Sequence, residues 1–331
     1  MARMTYADAV RHALAEEMRR DPRVWALGED LSTAHGNSSA NQYTGLIDEF
    51  GPQRIVNTPI AESTIMGAAV GAAVAGTRPV ADLRMIDFGL CAIDELVNQA
   101  AKIRYMFGGQ ARVPLVVREA IGVKQGMAAQ HSQSYEAWFA HVPGLVVVTP
   151  ATPADGRGML KAAIRCDDPV VFMEHKDLWG LKGDVDLDSE GLVPIGKAQT
   201  LRTGTDLTIV AWSRMTHLAM RAADDLAKQS VSAEVIDLRS IYPWDREAVL
   251  ASVEKTGRLL VVQESVLAGG FANEIAAEAA QQLHWKLRAP VARLGAPRIP
   301  VGYAPTLEAE HRVEAGQIVR EALRLVNASK S

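Results

Sequence analysis

The sequence predicts an α/β protein built from two doubly wound domains in succession. Two observations carry that reading. Short apolar runs of strand length alternate with longer helical stretches, first between Arg54 and Glu174 and again between Leu207 and Leu325, the pattern of a parallel sheet covered by helices on both faces. Between the two sets the pattern lapses into Gly, Asp, Lys and Pro, as a linker does. The expected division is a first domain over 1–185, a linker over 186–206 and a second, smaller domain over 207–331. A chain of 331 residues, 48% of them hydrophobic, is long enough for two such cores.

Element by element, Thr5 with Asp8 three residues on reads as a capping box, opening a helix in which Val10, Leu14 and Met18 recur every fourth residue. Val24 to Leu27 is a short apolar strand that runs out through Gly28, Glu29 and Asp30. Ser32 to Thr44 is polar and reads as an irregular loop. After the strand around Ile55 comes Asn57 to Gly76, NTPIAESTIMGAAVGAAVAG, which turns through Pro59 and becomes a Gly/Ala helix. Small residues let backbones approach, so this helix is expected to pack closely against something. RPVADL, a helix from Cys91 to Met106, VPLVVRE, the strand Leu145 to Thr149, a helix from Thr152 to Arg165 and PVVFME complete the first set. The second set is LTIVAW, a helix from Met215 to Lys228, AEVIDL, a helix from Asp245 to Thr256, RLLVVQE, a helix opened by Gly269 and Gly270, VARL, and one last helix from Thr306 to Leu325.

Composition and motifs exclude several classes of function. A net charge of -4 gives no footprint for nucleic acid, and the sequence has neither a signal-peptide pattern nor an apolar run long enough to span a bilayer. A soluble, cytoplasmic protein with no membrane partner is expected. Two cysteines, Cys91 and Cys166, make no disulfide framework. There is no Walker A loop, no strand-linked GxGxxG, no GxSxG elbow and no HExxH. Two places remain for chemistry. Glu62 stands at the mouth of the Gly/Ala helix, where spacing alone reads an acidic residue first as a helix-terminus charge. Ala128 to Ser134, AAQHSQS, puts His131 in a loop at the expected carboxyl edge of the sheet, where open α/β sheets bind ligands. In Ile86 to Cys91, where Asp87 and Phe88 emerge from a strand, Phe88 offers an aromatic wall or a core ring.

The stretches TPIAES, GAAVGAAVAGTRPV, NQAAKIRYMFGG, AQHSQSYEAWFAHVPGL and PVVFMEHKDLWG, continued by GRLLVVQES and GGFANEIAAE, resemble the β subunit of the thiamine-diphosphate-dependent 2-oxo acid dehydrogenase E1 components. The resemblance spans nearly the whole chain. It implies a transketolase-like pyrimidine-binding domain followed by a transketolase C-terminal-like domain. It also implies an α2β2 heterotetramer with an E1 α subunit that holds Mg²⁺ and the diphosphate, and acyl transfer to a lipoylated E2. Carried over residue by residue, Glu62 is the catalytic carboxylate that hydrogen-bonds the aminopyrimidine N1′ of thiamine diphosphate. Ile60 and Phe88 wall that ring. His131 is the histidine that orients substrate and assists acyl transfer. Main-chain carbonyls of Leu115, Ala163, Cys166 and Asp168 match a site for a structural monovalent cation such as K⁺. The expected substrate is pyruvate, with acetoin cleavage as the alternative and a non-catalytic scaffold subunit as a third reading. The chain departs from the family at Cys166, which replaces a frequent acidic residue, at Cys91, where glutamine is frequent, and in EAIGVKQGM, which is poorer in glycine and carries Lys124.

Overall fold

The computed structural model describes residues 1–31 and 42–328, so the Ser32 to Asn41 part of the expected polar loop lies outside the described residues. Contacts divide the chain into two compact units. One holds Met1–Ile121 and Trp138–Ile195. The other holds Gly122–Ala137 and the chain from Gly196 onward. Residues 122–137, inside the first domain by sequence order, thus belong by contacts to the second unit.

The elements from the first residue to Val185 are β1 (Ala2–Thr5), α1 (Tyr6–Arg20), β2 (Val24–Gly28), α2 (Leu46–Phe50), β3 (Ile55–Asn57), α3 (Glu62–Val74), β4 (Arg78–Met85), α4 (Ile86–Gly89), α5 (Ala101–Met106), β5 (Val116–Ile121), α6 (Glu136–Ala140), β6 (Val146–Val148), α7 (Pro153–Arg165), β7 (Val170–His175) and β8 (Lys182–Val185). The parallel strands of the first unit are ordered β6-β7-β5-β4-β2-β3. Every residue of β5 and β7 is buried, as near-continuous apolar strands between helical layers require. The capping reading of Thr5 holds: its hydroxyl accepts from Asp8 N at 3.1 Å and starts α1. Helix α1 packs on α7, where Gly156 leaves room for Tyr6 and Val10. Their polar edges are joined by Arg157 to Glu16 (2.9 Å), Lys161 to Glu16 (2.6 Å) and Arg165 to Glu17 (2.7 Å).

The second unit adds β9 (Gln199–Arg202), β10 (Leu207–Ala211), α8 (Arg214–Ala227), β11 (Ala233–Asp237), β12 (Ser240–Tyr242), α9 (Arg246–Thr256), β13 (Leu259–Val266), α10 (Ala272–Leu283), β14 (Ala292–Ala296), α11 (Pro305–His311) and α12 (Ala315–Ala328). Its sheet runs β14-β13-β10-β11-β9, with β9 antiparallel at the edge. Strand β9 falls inside the stretch read as a linker. Helix α8 and α12 close one core over Leu207, Ile209, Val235 and Leu260.

The helix expected from Thr306 to Leu325 is two helices. Arg312 takes an extended backbone after α11, and the Gln317 side chain accepts from Glu314 N at 2.7 Å, capping the start of α12. The helix expected from Cys91 to Met106 is likewise composite: a 3₁₀ turn at Leu90–Ala92, a wide π-helical run at Asp94–Ala100, then α5. Asp-Leu-Arg recurs at the ends of β4 and β11. In both copies the aspartate accepts from the arginine's own backbone N–H (Arg84 N to Asp82 Oδ1, 2.9 Å; Arg239 N to Asp237 Oδ1, 3.2 Å), and the arginine has positive φ (67° and 60°). An aspartate that hydrogen-bonds two residues on stabilises that otherwise costly backbone.

Candidate active site

The carboxyl ends of β2, β3 and β4 lie side by side. Thr58 N donates to Gly28 O at 2.9 Å, and Leu31 N donates to Asn57 Oδ1 at 2.8 Å, which draws the segments leaving β2 and β3 together. A Cβ at Gly28 would come within 2.5 Å of the Asp82 carbonyl oxygen, so only glycine lets β4 approach there. Glu62 occupies the first turn of α3. The residue before it, Ala61, has no side chain to cap the helix, so the first backbone N–H groups and the positive end of the helix dipole stand beside the carboxylate. Ile60 is 76% exposed. Ser63 Oγ donates to Cys91 O at 2.6 Å, tying the first turn of α3 to the turn that follows Phe88, which is half-buried on α4. Ile60, Glu62 and Phe88 are therefore brought to one edge of the first unit. A carboxylate with an aliphatic and an aromatic side chain at the same edge suits a flat nitrogen heterocycle, whose faces need apolar contact and whose ring nitrogen needs a hydrogen-bond partner.

Three charged groups at this edge escaped the sequence reading. Burial pushes the Glu29 carboxyl up, the nearby Asp30, Glu62 and Asp82 add to the rise, and Arg84 opposes it. The Arg84 side chain, 5% exposed, has Nε 3.5 Å from Glu29 and Nη2 3.7 Å from Asp30. The third is Glu119 on β5. It is 1% exposed, neither carboxyl oxygen has a hydrogen-bond partner among the described residues, and burial pushes it well above the usual carboxylate range, with Asp82 and Asp87 adding to the shift. Its Oε1 occupies the space a Cβ would need at Gly89, next to Phe88. The sequence signal for Glu29 was the acidic pair at the end of an apolar strand; for Glu119 there was none.

His131 lies in the second unit, on the 3₁₀ turn Ala129–His131, and is half-buried. The turn is entered through Ala128 at φ 53°, an unusual backbone for a residue with a Cβ. Gln133 Nε2 donates to Ala129 O at 3.1 Å, and Gly122 N donates to Gln133 O at 3.0 Å, folding the loop on itself.

Of the carbonyls matched to a cation site, Leu115 O accepts from Val170 N (2.8 Å), Ala163 O from Cys166 N (3.1 Å) and Cys166 O from Arg78 Nη1 (2.9 Å). Each already uses one lone pair within the chain, and the Arg78 guanidinium brings a positive charge to the same turn. An ion there would have to use the remaining lone pairs beside that guanidinium. Among the described residues no three His, Cys, Asp or Glu side chains are grouped to hold a metal ion, and no helix is long and apolar enough to cross a membrane.

Helix α3 buries Ile65, Met66, Ala69, Val70 and Ala73 and leaves Gly67, Ala68, Gly71 and Val74 exposed. Among the described residues nothing outside the helix's own backbone lies within 4 Å of a Cβ placed at Gly71, and a Cβ at Gly67 would meet only Glu95 Cγ, at 3.9 Å, so the small-residue face is largely open.

Residues 2–181 match the family model for the transketolase pyrimidine-binding domain, and residues 196–318 match that for the transketolase C-terminal domain. The chain is 45% identical over 325 residues to the pyruvate dehydrogenase E1 component subunit beta-2, mitochondrial, of Oryza sativa subsp. japonica, covering 97% of this chain and 86% of that one. It is 44% identical to the 2-oxoisovalerate dehydrogenase subunit beta of Bacillus subtilis, covering 93% and 94%. It is also 44% identical to the acetoin:2,6-dichlorophenolindophenol oxidoreductase subunit beta of Cupriavidus necator, covering 97% of each. A solved split-gene transketolase, described as an inactive β4 tetramer, shares the fold at a TM-score of 0.80 and 24% identity, covering 98% of this chain and 99% of that one.

Proposed function

Because the chain belongs to the transketolase-like family of dehydrogenase E1 β subunits, we propose that it is the β half of a thiamine-diphosphate-dependent E1 enzyme. In this reading the enzyme decarboxylates a 2-oxo acid, pyruvate first, and passes the acyl group to a lipoylated E2. The observation that carries the reading is Glu62 in the first turn of α3, with Ile60 exposed beside it and Phe88 on the adjoining turn. These residues suit the aminopyrimidine by their chemistry: Ile60 offers an exposed apolar side chain that a ring would cover, and Glu62 offers a carboxyl group that would pair with a ring nitrogen. When bound, thiamine diphosphate supplies the nucleophilic carbon and the electron sink. What this chain contributes is to hold the ring, to exchange a proton with it through Glu62, and to present His131 as a proton carrier toward the acyl acceptor.

An α-type partner is part of the proposal, and Mg²⁺ with the diphosphate is assigned to it. The open Gly67, Ala68 and Gly71 face of α3 and the exposed Tyr105, Met106 and Phe107 at the end of α5 support a partnered chain. A K⁺-type ion at the Leu115, Ala163, Cys166 and Asp168 carbonyls is kept as a structural proposal, without a role in the reaction.

Acetoin cleavage is the second reading, suggested by the Cupriavidus relative, which this chain matches over 97% of each chain. Identities of 45%, 44% and 44% to pyruvate, 2-oxoisovalerate and acetoin proteins do not rank the substrates. The assembled enzyme is therefore assayed on all three substrate classes. Glu62→Ala is expected to leave folding and assembly intact and to abolish turnover. Near-normal turnover by that variant with thiamine diphosphate would sink the mechanism. Absence of cofactor binding by the assembled wild type would favour a scaffold subunit instead.

A further inference from the structure

The loop that carries His131 is fastened at both ends by side chains that are remote in sequence. Val123 N donates to Glu264 Oε1 at 2.7 Å, and Val123 O accepts from Arg312 Nη2 at 2.7 Å, so both backbone polar groups of Val123 are held. Three residues on, Gly126 N donates to Glu308 Oε1 at 2.8 Å. Gly126 can offer that N–H because it sits at φ 76° in the turn closed by Met127 N on Lys124 O (3.1 Å), a conformation that favours glycine. At the far end, Trp212 Nε1 donates to Glu136 Oε1 at 3.1 Å, and the Trp212 ring is fixed edge-on by Phe271 at 6.3 Å between centroids. Glu308 and Glu264 are 4% and 6% exposed, so these are shielded, charge-assisted hydrogen bonds, stronger than their surface counterparts. Between the anchors the chain makes the strained turn at Ala128 that leads to His131. Such a backbone persists only where its surroundings over-determine it.

We propose that Glu308 on α11 and Arg312 just after it are positioning residues for His131: they fix the Val123 to Gly126 backbone and thereby hold the Ala128 turn that presents the imidazole. The inference rests on the reading of His131 given above and extends it to residues that do not touch the reacting atoms. It also gives α11 a task that explains its separation from α12. The extended backbone at Arg312 ends the helix where its guanidinium reaches Val123 O.

The test uses the full chain assembled with a co-expressed α-type subunit and the variants Glu308→Leu, Glu308→Gln, Arg312→Met and His131→Ala. Two quantities are read: amide hydrogen exchange over Val123 to His131, and acyl transfer to a free lipoyl domain, alongside substrate oxidation by an artificial electron acceptor. Glu308→Leu and Arg312→Met are expected to speed exchange in the loop by about tenfold or more, since each removes a charge-assisted hydrogen bond. They are also expected to slow acyl transfer in the manner of His131→Ala, while cofactor binding and the melting temperature stay near wild type. Glu308→Gln keeps an amide oxygen for Gly126 N and is expected to restore both readouts. Unchanged exchange, or faster exchange with unaltered acyl transfer while His131→Ala slows it, overturns the proposal. Loss of both readouts only in step with a fall in melting temperature, with no rescue by Glu308→Gln, overturns it as well. Normal acyl transfer in His131→Ala overturns the reading of His131 itself, and the case is told apart because loop exchange still rises in the α11 variants.

Discussion

Replacing Glu119 by glutamine tests the buried acid at the carboxyl end of β5. The side chain is 1% exposed and both oxygens lack partners among the described residues; burial raises its pKa well above the carboxylate range, and Asp82 and Asp87 reinforce the shift. A carboxyl whose folded-state pKa is raised keeps its proton in the folded chain over a pH range in which the unfolded chain has released it, so folding takes up one proton. Stability therefore falls as pH rises from the unfolded value, about 4.3 for glutamate, and levels off only above the folded-state value. One proton corresponds to about 1.4 kcal/mol per pH unit within that window. Glutamine has the same shape and cannot ionise. The unfolding free energy of E119Q minus that of wild type, from urea titrations at a series of pH values, is expected to be small near pH 4 and to widen by about that slope on going toward neutrality. The infrared difference between the two proteins at neutral pH should contain the stretch of a protonated carboxyl group. A stability difference that stays constant from mildly acid to neutral pH would refute the reasoning, because Glu119 would then ionise alike in both states.

Two further outcomes follow from the same unit. A Cβ at Gly89 would run into Glu119 Oε1, so Gly89→Ala is expected to destabilise the chain by about 1–3 kcal/mol by overpacking; in a double-mutant cycle, Glu119→Ala should recover much of that loss. Arg118 and Glu174 form a buried pair (2.7 Å) that Gln42 joins at 3.1 Å from Glu174, with the Tyr43 ring 5.2 Å from the guanidinium. Arg118→Met strands the Glu174 charge and is expected to cost about 3–5 kcal/mol in urea unfolding, more than the double replacement Arg118→Met with Glu174→Leu.

The fold was legible because most of its sheet is written in runs that admit one reading. VVREAI and VVFMEH are buried at every position, and helices such as α7 open on a recognisable cap and proline. What escaped depends on distant partners. Strand β1 is four residues with no apolar run of its own, and it exists because it pairs with Lys182–Val185 from the far end of the unit. The break at 312–314 between α11 and α12 contains no proline or glycine of its own, Gly316 lying just inside α12; it is set by the Gln317 cap and by Arg312 reaching the Val123 carbonyl. Residues 122–137 follow β5 directly, and nothing in their composition says that Glu264, Glu308 and Arg312 hold them within the second unit.

Two glutamates show most sharply where sequence reasoning stops. Glu62 and Glu119 each stand near the end of a regular element in the same unit, and local pattern treats both as ordinary charges at an edge. Resemblance singles out Glu62, whose surroundings in the chain are open: an exposed isoleucine, an uncapped helix turn and an aromatic side chain on the adjoining turn. Glu119 has the opposite environment, closed and without a hydrogen-bond donor, because β5 lies between β4 and β7 and Gly89 gives up its side-chain volume to the carboxyl group. A carboxylate that is to meet a ligand must be left unpaired at an accessible edge, whereas one sealed without a partner is stable only as the neutral acid. Which of these a glutamate becomes is decided by the strands and turns around it, so two carboxyl groups whose sequence contexts look alike end in opposite environments.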